Sequence, residues 1–130
     1  MKLWDNVGKQ SSGGKNMPFI QSKVSVAMTQ EQKESLKTKL GQAITVFPGK
    51  SERWLMVGLE DSCDLYFQGS NAEPAAFIEV KVFGSFTDAT AEKMTAELCR
   101  IYGEELGIPA SRIYVKYEEV ERWGWNGSNL

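Results

Sequence analysis

The sequence contains no histidine and only two cysteines, Cys63 and Cys99, in 130 residues. Without histidine, Ser-His-Asp and Cys-His catalysis are excluded, and the commonest zinc ligand is missing. The two cysteines lie far apart and form no C-x-x-C pair, so we expect two free thiols rather than a disulfide or a metal site. Any proton transfer must therefore use another base, and we expect neither a cofactor nor a metal.

The chain also lacks long apolar runs and an excess of basic residues. A formal net charge of −2, with 25% charged residues, provides no positive field to hold nucleic acid. No apolar stretch approaches the roughly 20 residues that span a bilayer, and residues 1–16 lack the apolar core of a signal peptide. We therefore expect one globular, cytoplasmic domain without nucleic-acid or membrane partners, although secretion without a signal peptide stays open.

The first candidate site lies where composition changes. Residues 1–16 are polar with a Ser-Ser-Gly-Gly tract, typical of a flexible leader, either vector-derived or an upstream extension, so we expect the domain to span 17–130. Our hypothesis is that Met17 is the native start, because its removal would leave Pro18 with a free secondary amine that titrates near neutral pH. If the leader stays attached, the Pro18 nitrogen is an amide and accepts no proton.

Hydrophobic periodicity predicts two successive β-α-β units. Alternating apolar residues predict strands over 18–26, 54–59, 75–83 and 112–118, and helical spacing predicts helices over 30–46 and from Thr87 or Asp88 to Gly107. Thr29 and Gln32 fit a capping box. Because crossover helices imply parallel pairing within each unit, we expect an α/β (α+β in some schemes) fold. It would be a four-stranded mixed sheet with both helices on one face.

The opposite face of this sheet is expected to combine polar and aromatic side chains: Gln21, Lys23, Glu79 and Lys81 beside Trp54, Phe77, Phe83 and Tyr114. A face so rich in aromatics is unfavourable as free surface. We therefore expect oligomerisation through that face and its edges.

Four short motifs then occur in order along the chain: Met17-Pro18 opening the first strand, Gly49-Lys50 after the first helix, Ser111-Arg112-Ile113-Tyr114 opening the last long strand, and Trp125-Asn126-Gly127-Ser128 near the end. Together they resemble the macrophage migration inhibitory factor branch of the tautomerase superfamily, over residues 18–130. The resemblance implies a homotrimer whose sheets form a barrel around a central channel. It also implies keto–enol tautomerisation of phenylpyruvate-like α-keto acids at subunit interfaces.

The resemblance implies that Pro18 is the general base, and that Lys50 binds the substrate carboxylate and helps to keep Pro18 neutral. A free α-amino group has a reference pKa of about 7.7–8, and burial or a nearby cation lowers it. Such a base could take a proton from the carbon next to the ketone and return it to the other side. The alternative for Lys50 is a solvated lysine in a turn.

Implied substrate contacts are Trp54 and Phe83 at the pocket rim, Tyr114 from the neighbouring subunit, and the apolar walls Trp125, Leu130 and Val120. Lys116 stands where the best-known members carry asparagine, so a second cation there would strengthen carboxylate binding or change substrate preference. For the aromatic positions the alternative is packing at the trimer interface. The family's C-x-x-C pair is replaced here by Ala75-Ala76-Phe77-Ile78, so we expect no thiol–disulfide activity.

Two other functions stay open at this point. The chain could be a non-catalytic, cytokine-like trimeric binding module, although no receptor is identified by the sequence. A hydrolytic dehalogenation within the same superfamily would need paired arginines and a water-activating carboxylate, for which Arg53, Arg112 and Glu118 are the candidates.

Overall fold

The computed structural model describes residues 17–130, so the predicted leader over residues 1–16 lies outside the described part. The elements are β1 (Pro18–Val24), α1 (Gln30–Ala43), β2 (Met56–Glu60), β3 (Ala76–Phe83), α2 (Asp88–Leu106), β4 (Ile113–Val120), β5 (Gly124–Trp125) and β6 (Ser128–Asn129). Short 3-10 turns occupy Ile44–Val46, Glu52–Trp54 and Ala110–Arg112. None of the helices within residues 17–130 is long and apolar enough to cross a membrane.

The main sheet has four strands in the order β2-β1-β3-β4. β1 pairs with β2 in parallel and β3 pairs with β4 in parallel, whereas β1 and β3 are antiparallel. The predicted mixed sheet of two β-α-β units with two helices is confirmed. β2 and β4 are the outer strands, and among residues 17–130 each has one edge without a partner in the sheet.

The core lies between one face of the sheet and the two helices. Alternate residues of β1 and β3 are buried there, among them Ile20 and Val80, and they pack with Leu40 and Leu98 of the helices. Each fully buried aliphatic side chain contributes roughly 1.5–3 kcal/mol. The other face of each strand is more exposed, so the predicted one-sided sheet is confirmed.

Both helices begin where the sequence places their caps. The Gln32 amide donates to Thr29 Oγ1 at 3.1 Å, and the Thr29 amide donates to Gln32 Oε1 at 2.9 Å, so the capping box is confirmed. Thr87, rather than Asp88, caps α2 through a 3.1 Å bond from the Thr90 amide. That helix ends at Gly107, whose φ of 71° suits a residue without Cβ.

Two segments differ from the predictions. β2 begins at Met56 because Glu52–Trp54 close a 3-10 turn, so Trp54 precedes the sheet instead of lying on its open face. The tail is a small antiparallel hairpin, β5–β6, which the predicted elements did not include. Its turn residues Asn126 and Gly127 have φ of 55° and 87°, as a type I′ turn requires.

Candidate active site

One end of the sheet is formed where β1 starts and where β3 and β4 finish. Pro18 pairs with Val82, and Phe83 pairs with Val120, so these residues lie at the same edge. Proline is tolerated as the first residue of a strand because its missing N–H is not needed there. The peptide before it continues the ladder, since the Phe83 amide donates to the Met17 carbonyl at 3.3 Å. Pro18 is buried at this position.

Lys50 is withdrawn from water beside this end of the sheet. It follows Gly49, whose φ of 79° turns the chain after the first helix, and its side chain is only 9% exposed. Burial lowers the pKa of the Lys50 ammonium, and no compensating carboxylate acts on it within residues 17–130. A buried cation without an anion is costly, so this arrangement favours binding of an anionic ligand.

Lys50 and Phe83 line one pocket of about 350 Å³, together with Ser85, Phe86 and Thr87. Phe83 also lines a second pocket of about 350 Å³ with Val120. Phe83 therefore lies between the buried Lys50 and the end of β4, whereas Pro18 lines neither of these two pockets. The volumes suit a small organic molecule.

Aromatic side chains of the C-terminal tail pack onto the rim of this region. Trp125 meets Trp54 edge-on at 5.1 Å between ring centroids, and Trp123 lies 6.4 Å from Phe83. The Leu130 amide donates to the Trp123 carbonyl at 2.9 Å, which draws the chain end back to the hairpin. Trp54, Phe83, Trp125 and Leu130 are thus brought to one side of the molecule.

Sequence reasoning missed two neighbours of these residues. Trp123 was not named as a substrate contact, although it lies only two residues before Trp125. The Arg53 guanidinium lies 5.2 Å from the centre of the Trp54 ring, a cation–π distance that stiffens the rim. Neither contact follows from the sequence without the 3-10 turn and the tail hairpin.

Within one chain, Tyr114 and Lys116 do not lie near the other predicted site residues. Tyr114 precedes Val120 by six residues along β4, which is about 20 Å of extended strand. Its side chain is 62% exposed, and its ring meets Phe67 edge-on at 5.1 Å. The Lys116 ammonium forms a 3.0 Å ion pair with Glu118, which raises the pKa of Lys116.

The residues considered for dehalogenation are also separated. Arg112 lies at the start of β4 and donates to backbone carbonyls, Glu118 is paired with Lys116, and Arg53 packs on Trp54. The side chains within residues 17–130 form no group of three or more cysteine, aspartate or glutamate residues that could hold a metal ion.

Comparison with known proteins gives consistent matches. The profile of the family described as Macrophage migration inhibitory factor (MIF) matches residues 17–130. The macrophage migration inhibitory factor of Xenopus laevis is 26% identical over 99 residues, which span 75% of this chain and 85% of the frog protein. The crystal structure of Leishmania major MIF2 is 36% identical, has a TM-score of 0.83, and covers 90% of this chain and 100% of its own. A homologue from Prochlorococcus marinus is 30% identical, has a TM-score of 0.73, and covers 85% of this chain and 97% of its own.

Proposed function

This chain belongs to the macrophage migration inhibitory factor family, a branch of the tautomerase superfamily, and on that premise we propose that it is a keto–enol tautomerase of phenylpyruvate-like α-keto acids, active when Pro18 is the first residue. One observation carries the proposal. Pro18 pairs with Val82 in the sheet, and the next residue, Phe83, lines a pocket with the buried Lys50. The proposed base and the anion-binding cation thus belong to the same end of the sheet.

Pro18 is the proposed base. With nothing before it, its nitrogen is a secondary amine with a lone pair, and its buried surroundings disfavour the protonated form. The neutral amine removes a proton from the carbon next to the substrate ketone, and the electron pair of the broken C–H bond moves to the carbonyl oxygen to give the enolate. The ammonium of Pro18 then gives the proton to that oxygen, which completes the enol, and the reverse sequence converts enol to keto acid, so no atom is gained or lost. The ring of proline holds the nitrogen in place.

Lys50 is the proposed carboxylate ligand. Its ammonium pays a desolvation cost in the free protein, as its lowered pKa indicates. A substrate carboxylate bound there would replace the solvation that the Lys50 ammonium has lost. We therefore expect the site to bind α-keto acids more tightly than neutral ketones. The same positive charge disfavours protonation of a nearby amine and helps to keep Pro18 neutral.

The remaining substrate contacts are proposed to surround this pair. Trp54, Phe83, Trp125, Val120 and Leu130 supply apolar walls for an aromatic side chain of the substrate.

Tyr114 and Lys116 act from a neighbouring subunit of a homotrimer. The unpaired edges of β2 and β4 and the exposed Tyr114 ring support such assembly. Sedimentation equilibrium tests it, and a monomer at micromolar concentration would contradict it.

The decisive experiment compares two proteins that differ by one residue: one beginning at Pro18 and one that retains Met17 before it. We expect the first to convert enol to keto phenylpyruvate, followed by ultraviolet absorbance, and the second to be slower by roughly 10²- to 10⁴-fold, the usual contribution of a general base.

A matched control also begins at Pro18 but carries an acetyl group on its N-terminal nitrogen, which removes the basic lone pair without changing any side chain. The acetylated protein should behave like the one retaining Met17. Equal activity in all three proteins would exclude Pro18 as the base.

A second function is favoured by one specific observation. As long as Met17 remains, its carbonyl accepts a hydrogen bond from the Phe83 amide, and the Pro18 nitrogen is part of an amide. In that form the chain would serve as a non-catalytic, cytokine-like binding module. Under this alternative, the protein that retains Met17 keeps its oligomeric state and any partner binding, and isomerase activity plays no part. Loss of the oligomer on retaining Met17 would argue against it.

A further inference from the structure

The far end of β4 carries an arrangement that no part of the proposed site explains. The loop over residues 64–74 crosses the start of β4, and within it Phe67 and Ser70 form a two-residue turn with paired hydrogen bonds of 2.9 and 3.1 Å. Gln68 and Gly69 occupy the turn with φ of 53° and 79°, as a type I′ turn requires. The turn therefore holds Phe67 in a defined direction.

Arg112 fastens this turn to β4. Its guanidinium donates to three backbone carbonyls at once: Pro74 at 2.9 Å, Ser70 at 3.0 Å and Phe67 at 3.3 Å. It also lies 5.4 Å from the centre of the Phe67 ring. Only arginine offers several donors in a rigid plane, so a lysine at this position could not bind all three oxygens with the same geometry.

Phe67 in turn meets the Tyr114 ring edge-on, with centroids 5.1 Å apart and planes at 88°. Edge-to-face geometry is the favourable one for two aromatic rings. Tyr114 is otherwise 62% exposed on an outer strand, where an aromatic side chain would exchange between rotamers. The Phe67 ring therefore restricts the orientation of Tyr114.

We propose that Phe67 and Arg112 are positioning residues for Tyr114, which they hold in the orientation it needs to enter the site of a neighbouring subunit. Arg112 fixes the turn, the turn fixes the Phe67 ring, and that ring fixes the phenol. Neither residue touches the substrate. The inference rests on the proposed function, because Tyr114 is given a role only there.

The kinetic test uses protein beginning at Pro18 and the variant Phe67→Leu, which keeps an apolar side chain but removes the ring. We expect kcat/KM for phenylpyruvate to fall about two- to tenfold, the range of an aromatic pair. Phe67→Tyr, which preserves the ring, should restore it. Arg112→Lys should lower kcat/KM to a similar extent. Tyr66→Leu, an exposed aromatic one residue away, and Arg100→Lys on α2 are the matched controls, and neither should change it.

A double variant separates positioning from general damage. If Phe67 acts through Tyr114, Phe67→Leu has no further effect once Tyr114→Ala is present. A merely structural role would multiply the two losses, and that result would overturn the proposal.

A second measurement does not depend on activity. Relaxation of the Tyr114 ring in tyrosine-labelled protein should show faster motion in Phe67→Leu and in Arg112→Lys than in the parent, with circular dichroism unchanged. Unaltered motion would overturn the proposal. If the parent beginning at Pro18 has no isomerase activity, the proposed function fails, and the ring motion still decides whether Phe67 and Arg112 orient Tyr114.

Discussion

At the end of the sheet where β1 begins, Pro18 is buried and Lys50 is only 9% exposed, whereas at the opposite end Tyr114 leaves 62% of its side chain in water. The first, which we term the Pro18 end, borders two pockets of about 350 Å³ that Phe83 lines. The second, the Tyr114 end, presents a phenol whose ring meets Phe67 edge-on. In the homotrimer that we propose, the two ends would complement each other across a subunit boundary.

The largest effect on activity is expected from variants that change one residue at each end of the sheet. Pro18→Gly and Tyr114→Ala are each expected to lower activity, because one replaces the rigid secondary amine by a flexible primary amine and the other removes its proposed partner from every site. When the two variants are unfolded, mixed equally and refolded together, roughly a quarter of the sites should contain both native residues, if assembly is random. Activity of the mixture above that of either variant is the measurement. No recovery would show that Tyr114 does not act across a subunit boundary.

A smaller effect is expected from the cation at the Pro18 end. Lys50→Met should raise KM for phenylpyruvate about 10- to 100-fold, the range of a hydrogen bond to a charged group. The same change should stabilise the fold by about 1 kcal/mol, because a desolvated charge is replaced by an apolar side chain.

Urea unfolding measures the second effect, and Lys93→Met, on the exposed surface of α2, is the control. The lowered pKa of Lys50 also means that the folded protein loses this proton before the unfolded chain does. Stability should therefore rise with pH as Lys50 titrates. Lower stability in Lys50→Met would contradict the desolvation argument.

A buried hydrogen bond beside the middle of the sheet belongs to neither end. The buried Tyr102 hydroxyl donates to the buried Ser22 hydroxyl at 2.8 Å, and burial raises the pKa of Tyr102 to about 12. Tyr102→Phe leaves Ser22 without this partner and should cost about 1–2 kcal/mol of unfolding free energy, with kinetics at both ends unchanged.

The pH dependence has a definite sign. The stabilisation is complete below about pH 10, where the phenol of the unfolded chain is neutral. It is lost as the pH rises toward about 12, the pKa in the folded state. Denaturation curves between these pH values should therefore differ less between parent and Tyr102→Phe as the pH increases.

The smallest effect is expected on the helical layer. Arg100 pairs with Glu97 at 2.8 Å and with Glu104 at 2.9 Å, and the three side chains are between 34% and 53% exposed. Exposed ion pairs contribute about 0–1 kcal/mol. Arg100→Ala should therefore change the urea midpoint little, and the change should vanish at 1 M salt. A loss comparable to Tyr102→Phe would mean that α2 depends on this network.

The strands and helices could be predicted because their periodicity is local. Alternation in β1 and β3 and the Thr29–Gln32 pair each specify a conformation within a few residues. Trp54 was placed wrongly on the open face because the 3-10 turn before β2 depends on how the chain leaves α1. The tail hairpin had a signal, the Asn126-Gly127 turn, but its two-residue arms are too short to show alternation.

The site was predicted unevenly for a similar reason. Pro18 and Lys50 stand in recognisable motifs; Pro18 pairs with Val82 at the end of the sheet, and Lys50 lines a pocket with Phe83. Arg112 also stands in one of these motifs, but its contacts could not be predicted, because its partners are backbone carbonyls 38 to 45 positions earlier in the chain. Hydrogen bonds to the main chain depend on the path of the loop and not on the identity of its residues.

The burial of Met17 limits when this residue could be removed during synthesis and folding. Its side chain is only 4% exposed and its carbonyl is held by Phe83. A peptidase needs an extended, accessible chain end, which β1 no longer offers once it has joined the sheet. If Pro18 is the first residue of the active protein, as we propose, it has to be exposed before folding, and each molecule would then be committed to the catalytic or the blocked form while it is being made.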